Sequence, residues 1–314
     1  MMKRHLRGWL AATAILGSTL TAAPAAELTS VGITVGHLGN PFFVEVADAA
    51  IRKLRELAGP KVQVTVVSGD YDLDLQMSQV ENFVTAGAQL LILGAVDSKG
   101  MYPAVAKAHE AGIPVVAVDV SAEGADATVM SDNSQAGRLG CTYIAERLGG
   151  KGKVVILNGP PVSAVADRVS GCKAVLAGFP DIEILSDDRN ASGSFPGGLT
   201  TMDLLLTMHP QIDAVFAQND PTGLGAAMAV RQRGREGLFI VGVDGSPLAV
   251  EALRSGEGLF VATSAQSPRA MAARSAEIGY GLVQGQQPAE ALTLIPVTLI
   301  SSENVDSYQG WGTE

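Results

Sequence analysis

Polar residues that could bind a ligand follow the ends of short apolar runs rich in β-branched residues. They are Asn40, Asp97 and Asp119 in the first half of the chain, and Asn219-Asp220 and Asp244 in the second. Asn and Asp are common turn formers and helix caps, which is the simpler explanation for any one of them alone. Parallel sheets bind ligands outside the carboxyl ends of their strands. The recurrence of these residues in both halves therefore favours one shared binding cleft.

Sequence signatures of catalysis are missing from the chain. The turn after the first apolar run, residues 36–40 (GHLGN), lacks the G-x-G-x-x-G of a dinucleotide site, and residues 149–153 (GGKGK) are not a phosphate-binding loop. No G-x-S-x-G nucleophile elbow is present. His37, His109 and His209 are isolated in sequence, which favours surface or capping roles over metal ligation. The sequence therefore predicts no enzyme, no metal site and no cofactor.

Apolar β-branched runs alternate with alanine-rich amphipathic segments after residue 26. The runs predict strands at 30–36, 62–68, 90–93, 115–119, 154–158, 182–186, 214–218 and 239–244. The segments predict helices at 43–58, 73–86, 101–111, 134–148, 164–177, 198–208 and 224–233. Strands without polar alternation, separated by helices, are typical of parallel sheets covered on both faces. Two such series predict an α/β protein with two doubly wound parallel-sheet units.

The composition is that of an acidic protein with a sizeable core. Hydrophobic residues make up 47% of the 314 residues and charged residues 17%. Lys and Arg number 22 against 32 Asp and Glu, so the formal net charge is −10. Because a negative surface repels phosphate groups, the charge argues against nucleic acid as a partner.

Residues 1–25 have the pattern of a secretory signal peptide. Lys3, Arg4 and Arg7 precede an apolar, small-residue run over 8–20, and Ala23-Pro24-Ala25 supplies the small residues that signal peptidase needs. A membrane anchor would need about 18 clean apolar residues, and this run is shorter and interrupted by hydroxyl side chains. We therefore expect cleavage near Ala26 and export of the remaining chain.

The two cysteines, Cys141 and Cys172, both lie in predicted helices of the second series. An exported protein meets an oxidising compartment, so a disulfide is open to it. A bridge between two helices, however, needs Cα atoms within about 7 Å. The sequence therefore favours two small apolar side chains packed against a sheet.

Four motifs resemble the ribose-binding proteins, which are type I periplasmic binding proteins that feed ABC sugar importers. They are Asn40-Pro41-Phe42-Phe43, Ser131-Asp132-Asn133, residues 215–220 (VFAQND) and residues 241–247 (VGVDGSP). The resemblance extends, in order, over essentially the whole chain after residue 26. It implies a periplasmic protein in which two lobes, joined by a three-segment hinge, close over one sugar.

The resemblance also implies where the lobes begin and end. The first lobe would comprise residues 26–131 plus 267–298, and the second residues 132–266 plus 299–314. The chain would cross between them near Ser131-Asp132, Gln266-Ser267 and Thr298-Leu299. Ser131, Asp132, Ser267 and Thr298 are therefore the expected hinge residues. The hinge would absorb the rotation of closure, and the closed form would dock on a membrane permease.

Eight positions match the binding site of the family. They are Asn40, Phe42, Phe43, Asp119, Arg168, Asn219, Asp244 and Gln266. By this resemblance a phenylalanine would stack on the C–H face of the sugar, the two carboxylates would accept hydroxyl protons, and the guanidinium and amides would donate. Two structural alternatives stay open, because Phe43 could belong to the core and Arg168 could form a surface ion pair.

Four departures from the ribose pattern affect the choice of ligand. Val120 replaces an Arg, Gly94 an Asn and Val243 a Phe, and Gly193 or Ser194 stands where the second lobe has an aromatic ring. Phe195 is near enough in sequence to replace that ring. Because these changes remove hydroxyl partners and stacking faces, we expect a different pentose or hexose, or a linear polyol, rather than ribose.

The expected function is capture of a small carbohydrate by a monomeric solute-binding protein that delivers it to an ABC permease. Lactose-repressor-type regulators use the same two-lobed core, but they carry a helix-turn-helix region of about 60 residues ahead of it, where this chain has a signal peptide. A periplasmic sensor that presents its ligand to a membrane receptor is an alternative that the sequence does not separate from transport.

Overall fold

The computed structural model describes residues 27–256 and 258–312. The predicted signal peptide at residues 1–25 lies outside the described residues. Among the helices of the described ranges, none has both the length and the apolar character needed to span a membrane.

Twelve strands form within the described ranges. They are β1 (Ser30–Val35), β2 (Gln63–Ser68), β3 (Leu90–Leu93), β4 (Val115–Val118), β5 (Ala127–Ser131), β6 (Lys151–Leu157), β7 (Asp181–Ser186), β8 (Ala214–Ala217), β9 (Phe239–Asp244), β10 (Phe260–Ala265), β11 (Leu292–Ile295) and β12 (Thr298–Ser301). β3 and β4 are buried along their whole length, as their unbroken apolar runs predict.

Nine α-helices connect these strands in the described part of the chain. They are α1 (Pro41–Ala58), α2 (Leu73–Thr85), α3 (Tyr102–Glu110), α4 (Asn133–Arg147), α5 (Ser163–Leu176), α6 (Phe195–Met208), α7 (Asp220–Gln232), α8 (Pro247–Ser255) and α9 (Pro268–Val283). Two short 3₁₀ turns follow at Val305–Ser307 and Gly310–Gly312.

The strands form two six-stranded sheets. The first has the order β11-β5-β4-β3-β1-β2 and is parallel throughout. The second has the order β12-β10-β9-β8-β6-β7 and is parallel except for β12, which pairs antiparallel to β10. α1, α2, α3 and α9 pack on the first sheet. α4, α6, α7 and α8 pack on the second sheet, and α5 packs on α4. We call these two halves the first lobe and the second lobe. The predicted α/β fold with two parallel-sheet units is confirmed.

The chain passes between the sheets three times. Ser131 ends β5 of the first sheet and Asp132 caps α4 of the second lobe. Ser267 caps α9, which returns the chain to the first lobe after β10. Thr298, expected at the end of the first lobe, instead pairs with Ala265 in the second sheet. The third passage therefore falls at residues 296–297, slightly before the expected position.

The cysteines form a disulfide, so the expectation of two unbridged side chains was wrong. Cys141 on α4 and Cys172 on α5 are bonded, with their Cα atoms 5.0 Å apart. Two glycines allow this approach. A Cβ atom on Gly137 would lie 1.9 Å from the Arg168 carbonyl oxygen, and one on Gly171 would lie 2.3 Å from that of Ser134. The two helices thus pack backbone to backbone, which places the cysteines within bonding range.

Candidate functional site

A cavity lies between the carboxyl ends of the two sheets. All eight residues predicted for the site line it: Asn40, Phe42, Phe43, Asp119, Arg168, Asn219, Asp244 and Gln266. Asp97, the other polar residue that follows a strand of the first sheet, is not among the lining residues. Its carboxylate accepts the N–H groups of Lys99 and Gly100, so it serves the turn. The topology has therefore gathered residues that are more than 200 positions apart in the chain.

Nine other residues line the cavity and were not among the predicted site residues. They are Gly36, Tyr71, Ala95, Val120, Pro160, Val162, Ala164, Val165 and Gln218. Among them, Tyr71 has a hydroxyl group that can form hydrogen bonds. It follows β2, and no site residue was predicted at the end of that strand. The sequence does contain a signal for this position. The run Gly69-Asp70-Tyr71-Asp72 follows a strand and is as polar and turn-like as the runs after the other strands, from which site residues were predicted.

The first lobe provides an aromatic wall to the cavity. Asn40 caps α1 by accepting the Phe42 N–H at 3.0 Å, which leaves its own amide N–H groups out of the cap. The rings of Phe42 and Phe43 are buried and meet edge to face, with centroids 5.5 Å apart. Phe43 both lines the cavity and packs in the core of the first lobe, so its two expected roles coincide.

Asp119 is a buried carboxylate with an unsatisfied oxygen. It follows β4 in the left-handed region, at φ 66°, and is 5% exposed. Its Oδ1 atom has no hydrogen-bond partner in the protein. Burial raises the pKa of Asp119 to about 6, against the opposing effect of the Arg168 charge. A buried acceptor without a donor is costly, so this oxygen is suited to an incoming hydroxyl group.

Arg168 provides the buried positive charge of the second lobe. It is 4% exposed, which removes the alternative of a surface ion pair. Its Nε atom donates to Asn133 Oδ1 at 2.7 Å and its Nη1 atom donates to the Gln218 carbonyl at 3.0 Å. Nη1 also lies 3.6 Å from Asp244 Oδ1. The guanidinium is thus fixed before any ligand arrives.

Asp244 and Gln266 form the floor of the second lobe. The Gln266 side chain donates to Asp244 Oδ1 at 2.7 Å, and its backbone N–H donates to the Asp244 carbonyl at 3.0 Å. Gln266 Oε1 has no partner. Burial raises the pKa of Asp244 well above its ordinary range, although Arg168 opposes the shift. The negative charges of Asp220 and Asp119 act in the same direction as burial.

Asp220 and Asn219 begin α7 beside this floor. Asp220 is fully buried and accepts the Thr263 hydroxyl at 2.7 Å and the Ser246 N–H at 2.8 Å, so both of its oxygens serve the fold. Burial raises its pKa to about 7. Asn219 accepts the Thr222 N–H at 3.0 Å and donates to the Gly193 carbonyl at 2.9 Å. One amide hydrogen of Asn219 is left for a ligand.

The positions that depart from the ribose pattern leave the second lobe without an aromatic wall. Val120 lines the cavity and is 3% exposed, so an apolar side chain stands where the ribose pattern has a guanidinium. Phe195 is 41% exposed at the start of α6 and does not line the cavity, so it does not replace the missing ring.

The two lobes touch across the mouth of the cavity. Val120 of the first lobe shares a buried cluster with Val162 and Val165 of the second. The Ser121 N–H donates to the Ser163 hydroxyl at 3.1 Å, again from one lobe to the other. The structure therefore shows the lobes closed over the cavity.

Comparison with known proteins places the chain in a family. Residues 31–287 match the periplasmic binding protein domain family. The xylitol-binding protein of Mycolicibacterium smegmatis is 32% identical over 310 residues, covering 95% of this chain and 86% of that protein. The ribose import binding protein of Salmonella typhimurium is 30% identical over 278 residues, covering 88% and 92%.

A solved structure has the same fold. It is an ABC transporter solute binding protein from Bacillus halodurans C-125 with bound myo-inositol, and it matches with a TM-score of 0.82 and 25% identity over 91% of this chain and 99% of that one. The protein belongs to the type I periplasmic binding proteins, in the ribose-binding family.

Proposed function

We propose that the protein captures a neutral polyol or small monosaccharide between its two lobes and delivers it to the permease of an ABC importer. The three relatives described above are a xylitol-binding protein, a ribose import binding protein and a solute-binding protein with bound myo-inositol. These ligands share a compact, uncharged, polyhydroxylated skeleton. The word "import" in the names of relatives favours delivery to a permease over presentation of the ligand to a membrane receptor.

The observation that carries this proposal is a pair of unsatisfied acceptors that line the cavity. Asp119 Oδ1 of the first lobe and Gln266 Oε1, at the end of β10 in the second, are both buried without a hydrogen-bond donor. A hydroxyl group brings the donor that each lacks, and a polyol can bring one to each oxygen at once. Ligand contacts to both lobes are what favours the closed arrangement over the open one.

The charges of the cavity support a neutral ligand. Asp119, Asp244 and the nearby Asp220 outnumber Arg168, whose guanidinium is already bound to protein acceptors. An anionic sugar acid or sugar phosphate would be repelled by the Asp119 carboxylate, which is mostly ionised at neutral pH. A neutral hydroxyl group, in contrast, gains a charge-assisted hydrogen bond.

The aromatic wall supports a linear polyol over a rigid ring. Stacking on both faces of a sugar ring needs aromatic side chains from both lobes. Among the lining residues, Phe42, Phe43 and Tyr71 all come from the first lobe, and the apolar lining of the second is Pro160, Val162, Ala164 and Val165. A flexible chain of hydroxyl groups can follow such a one-sided wall.

Lobe closure and export complete the proposal. We infer that residues 26–131 and 267–298 rotate as one body against residues 132–266 and 299–314. The hinge lies at Ser131, Asp132, Ser267 and Thr298, with its third segment moved to residues 296–297, where the chain crosses between the sheets. The protein acts in the periplasm as a monomer, after removal of residues 1–25, and it binds its ligand without turnover.

A thermal-shift screen tests the proposal. The purified protein is melted with C3–C6 polyols, pentoses, hexoses, deoxy sugars and sugar acids. A ligand at about 100 times its Kd stabilises the folded state by about 2.7 kcal/mol. We expect a neutral polyol or sugar to raise the melting temperature, and Asp119→Asn to reduce that shift. Asp97→Asn, at a comparable strand end outside the cavity, is the matched control. The proposal fails if no neutral compound shifts the transition or if a sugar acid shifts it most.

A further inference from the structure

The segment after β12 runs back from the second lobe to the first. We call residues 302–312 the return segment. Its first part is held on the second lobe, where Arg254 donates to the carbonyl groups of Val305 at 3.4 Å and Tyr308 at 3.5 Å. The Tyr308 hydroxyl donates to the Gly245 carbonyl at 3.2 Å. Tyr308 packs against the apolar core of the second lobe.

The side chain of Trp311, at the end of the return segment, lies in the first lobe. Residues 299–314 were expected to belong to the second lobe, but the Trp311 ring packs in the apolar core of the first and is 8% exposed. It meets the ring of Phe42 edge to face, with centroids 5.8 Å apart and planes at 78°. Phe42 belongs to the aromatic wall of the cavity.

The indole of Trp311 also binds the second lobe. Its Nε1–H donates to the Asp244 carbonyl at 2.8 Å. That carbonyl accepts a second bond, from the Gln266 N–H at 3.0 Å. Asp244 has φ 135°, a backbone conformation that an L-residue rarely adopts and that persists only where its surroundings fix it. The two bonds supply that constraint, and the backbone in turn sets the direction of the Asp244 carboxylate.

We infer that Trp311 is a positioning residue of the binding site, which ties Asp244 of the second lobe to Phe42 of the first. The inference rests on the proposed function. Trp311 does not line the cavity, so it acts on a ligand through these two residues. Because one side chain contacts both lobes, separating them must break the ring contact or the hydrogen bond. Closure therefore changes the surroundings of the indole.

Tryptophan emission tests this without touching the site. The chain has two tryptophans, Trp9 and Trp311, so in a Trp9→Phe background the full chain reports on Trp311 alone. The probe is the polyol or sugar that gives the largest thermal shift. We expect its addition to change the emission of Trp311, with the same Kd that calorimetry gives. An emission spectrum that stays constant up to saturation would overturn the inference.

Trp311→Phe tests the hydrogen bond, since it keeps an aromatic ring and removes the N–H donor. A single hydrogen bond corresponds to an affinity loss of about 3- to 10-fold. Tyr308→Phe is the matched control, because it removes one donor from the same return segment, and that donor binds Gly245 of the second lobe. We expect the first change to weaken ligand binding and the second to leave it unchanged, with unliganded melting temperatures within a few degrees of each other.

The outcomes separate the inference from the proposed function. If the unaltered protein binds no polyol or sugar, the proposed function fails. If it binds one and Trp311→Phe binds it equally well, only the inference fails. An equal loss of affinity in both variants would also overturn it, because general anchoring of the return segment would then explain the effect. If Trp311→Phe does not fold, the emission of the Trp9→Phe protein still decides the question.

Discussion

The two faces of the cavity use their buried carboxylates in different ways. On the first lobe, one oxygen of Asp119 has no partner. On the second lobe, Asp244 accepts a hydrogen bond from Gln266 and lies beside the Arg168 guanidinium. The carboxylate of the second face is therefore held in advance by the protein's own hydrogen bonds, whereas the carboxylate of the first face keeps an acceptor that only a ligand can satisfy. The difference shows how a binding site can divide structural stability and ligand affinity between its two halves.

The largest expected effect comes from Arg168→Met, which removes the guanidinium that lies beside Asp244. Removing one partner of a buried charge pair costs about 3–5 kcal/mol, because the remaining carboxylate is left uncompensated. We expect a loss of that size in the free energy of unfolding without ligand, measured by chemical denaturation at neutral pH.

The matched control for this change is Arg233→Met. Arg233 pairs with Asp203 at 2.5 Å, but both side chains are nearly half exposed. Exposed ion pairs contribute little because water screens them. An equal loss in the two variants would show that the second face is not specially organised around Arg168.

The disulfide is the next feature, and it belongs to the second lobe alone. Cys141 and Cys172 are 31 positions apart, and closing a loop of that length stabilises a fold by roughly 2–4 kcal/mol. We expect reduction to lower the melting temperature while ligand affinity is retained, because neither cysteine lines the cavity. The double variant with alanine at both positions is the control and should not respond to reductant. A loss of affinity on reduction would instead tie the disulfide to the site.

Asp119→Asn should separate stability from binding. An amide keeps the shape and removes the buried charge, so the unliganded protein should become more stable at neutral pH. Loss of the charged acceptor should weaken ligand binding roughly 10- to 100-fold. The two effects are measured by denaturation and by calorimetry. A variant that is both less stable and unchanged in affinity would contradict the division between the two faces.

The titration of Asp119 gives a second test of its separate effects on stability and on ligand binding. Its pKa is about 6 in the folded protein against an ordinary value of 3.8. The folded form therefore binds this proton more tightly than the unfolded form, so the Asp119 contribution to stability decreases as pH rises from about 4 to 6 and then levels off. Ligand affinity should rise over the upper part of this range, as the carboxylate form becomes populated. The Asp119 part of both trends should disappear in Asp119→Asn, while Asp220 and Asp244, whose pKa values burial also raises, continue to lower stability as pH rises. A pH dependence that is unchanged in Asp119→Asn would assign both trends to those groups.

The smallest expected effect is that of Tyr71→Phe. The Tyr71 side chain lines the cavity, and burial together with the charges of Asp119 and Asp244 raises the pKa of its hydroxyl. Loss of one neutral hydrogen bond should weaken binding about 2- to 10-fold and leave the unliganded melting temperature unchanged. Tyr102→Phe, at a side chain that is 50% exposed, should alter neither quantity. Unchanged affinity in Tyr71→Phe would mean that the first face binds the ligand through Asp119 and the phenylalanines, without the Tyr71 hydroxyl.

The sequence predicted the repeating part of the fold because the signals there are local. Unbroken apolar runs such as residues 90–93 and 115–118 can only be buried strands between covering helices, and the structure has strands at both. The sequence did not individually predict β5, the later strands β10 to β12 or the helices α8 and α9. β11 and β12 have only four residues each and lie at sheet edges, where pattern alone is weak.

The sequence and its family resemblance also predicted eight of the residues that line the cavity. Parallel strands with helical connections bring all their carboxyl ends to one edge, so Asn40, Asp119 and Asp244 follow from topology and from the family resemblance. Asn40 and Asn219 prove to be helix caps that also line the cavity, so the two explanations of these residues were never exclusive.

The positions of the remaining groups depend on how the elements pack against one another in three dimensions. The Cys141–Cys172 bond depends on the close approach of α4 and α5, which two glycines permit but no local pattern specifies. The contacts of Trp311 depend on the path of the return segment between the lobes. The state of Asp119 depends on the donors that surround it in space, and an unsatisfied oxygen is invisible in a sequence. Local periodicity encodes elements, but distances between elements arise only when the chain has packed.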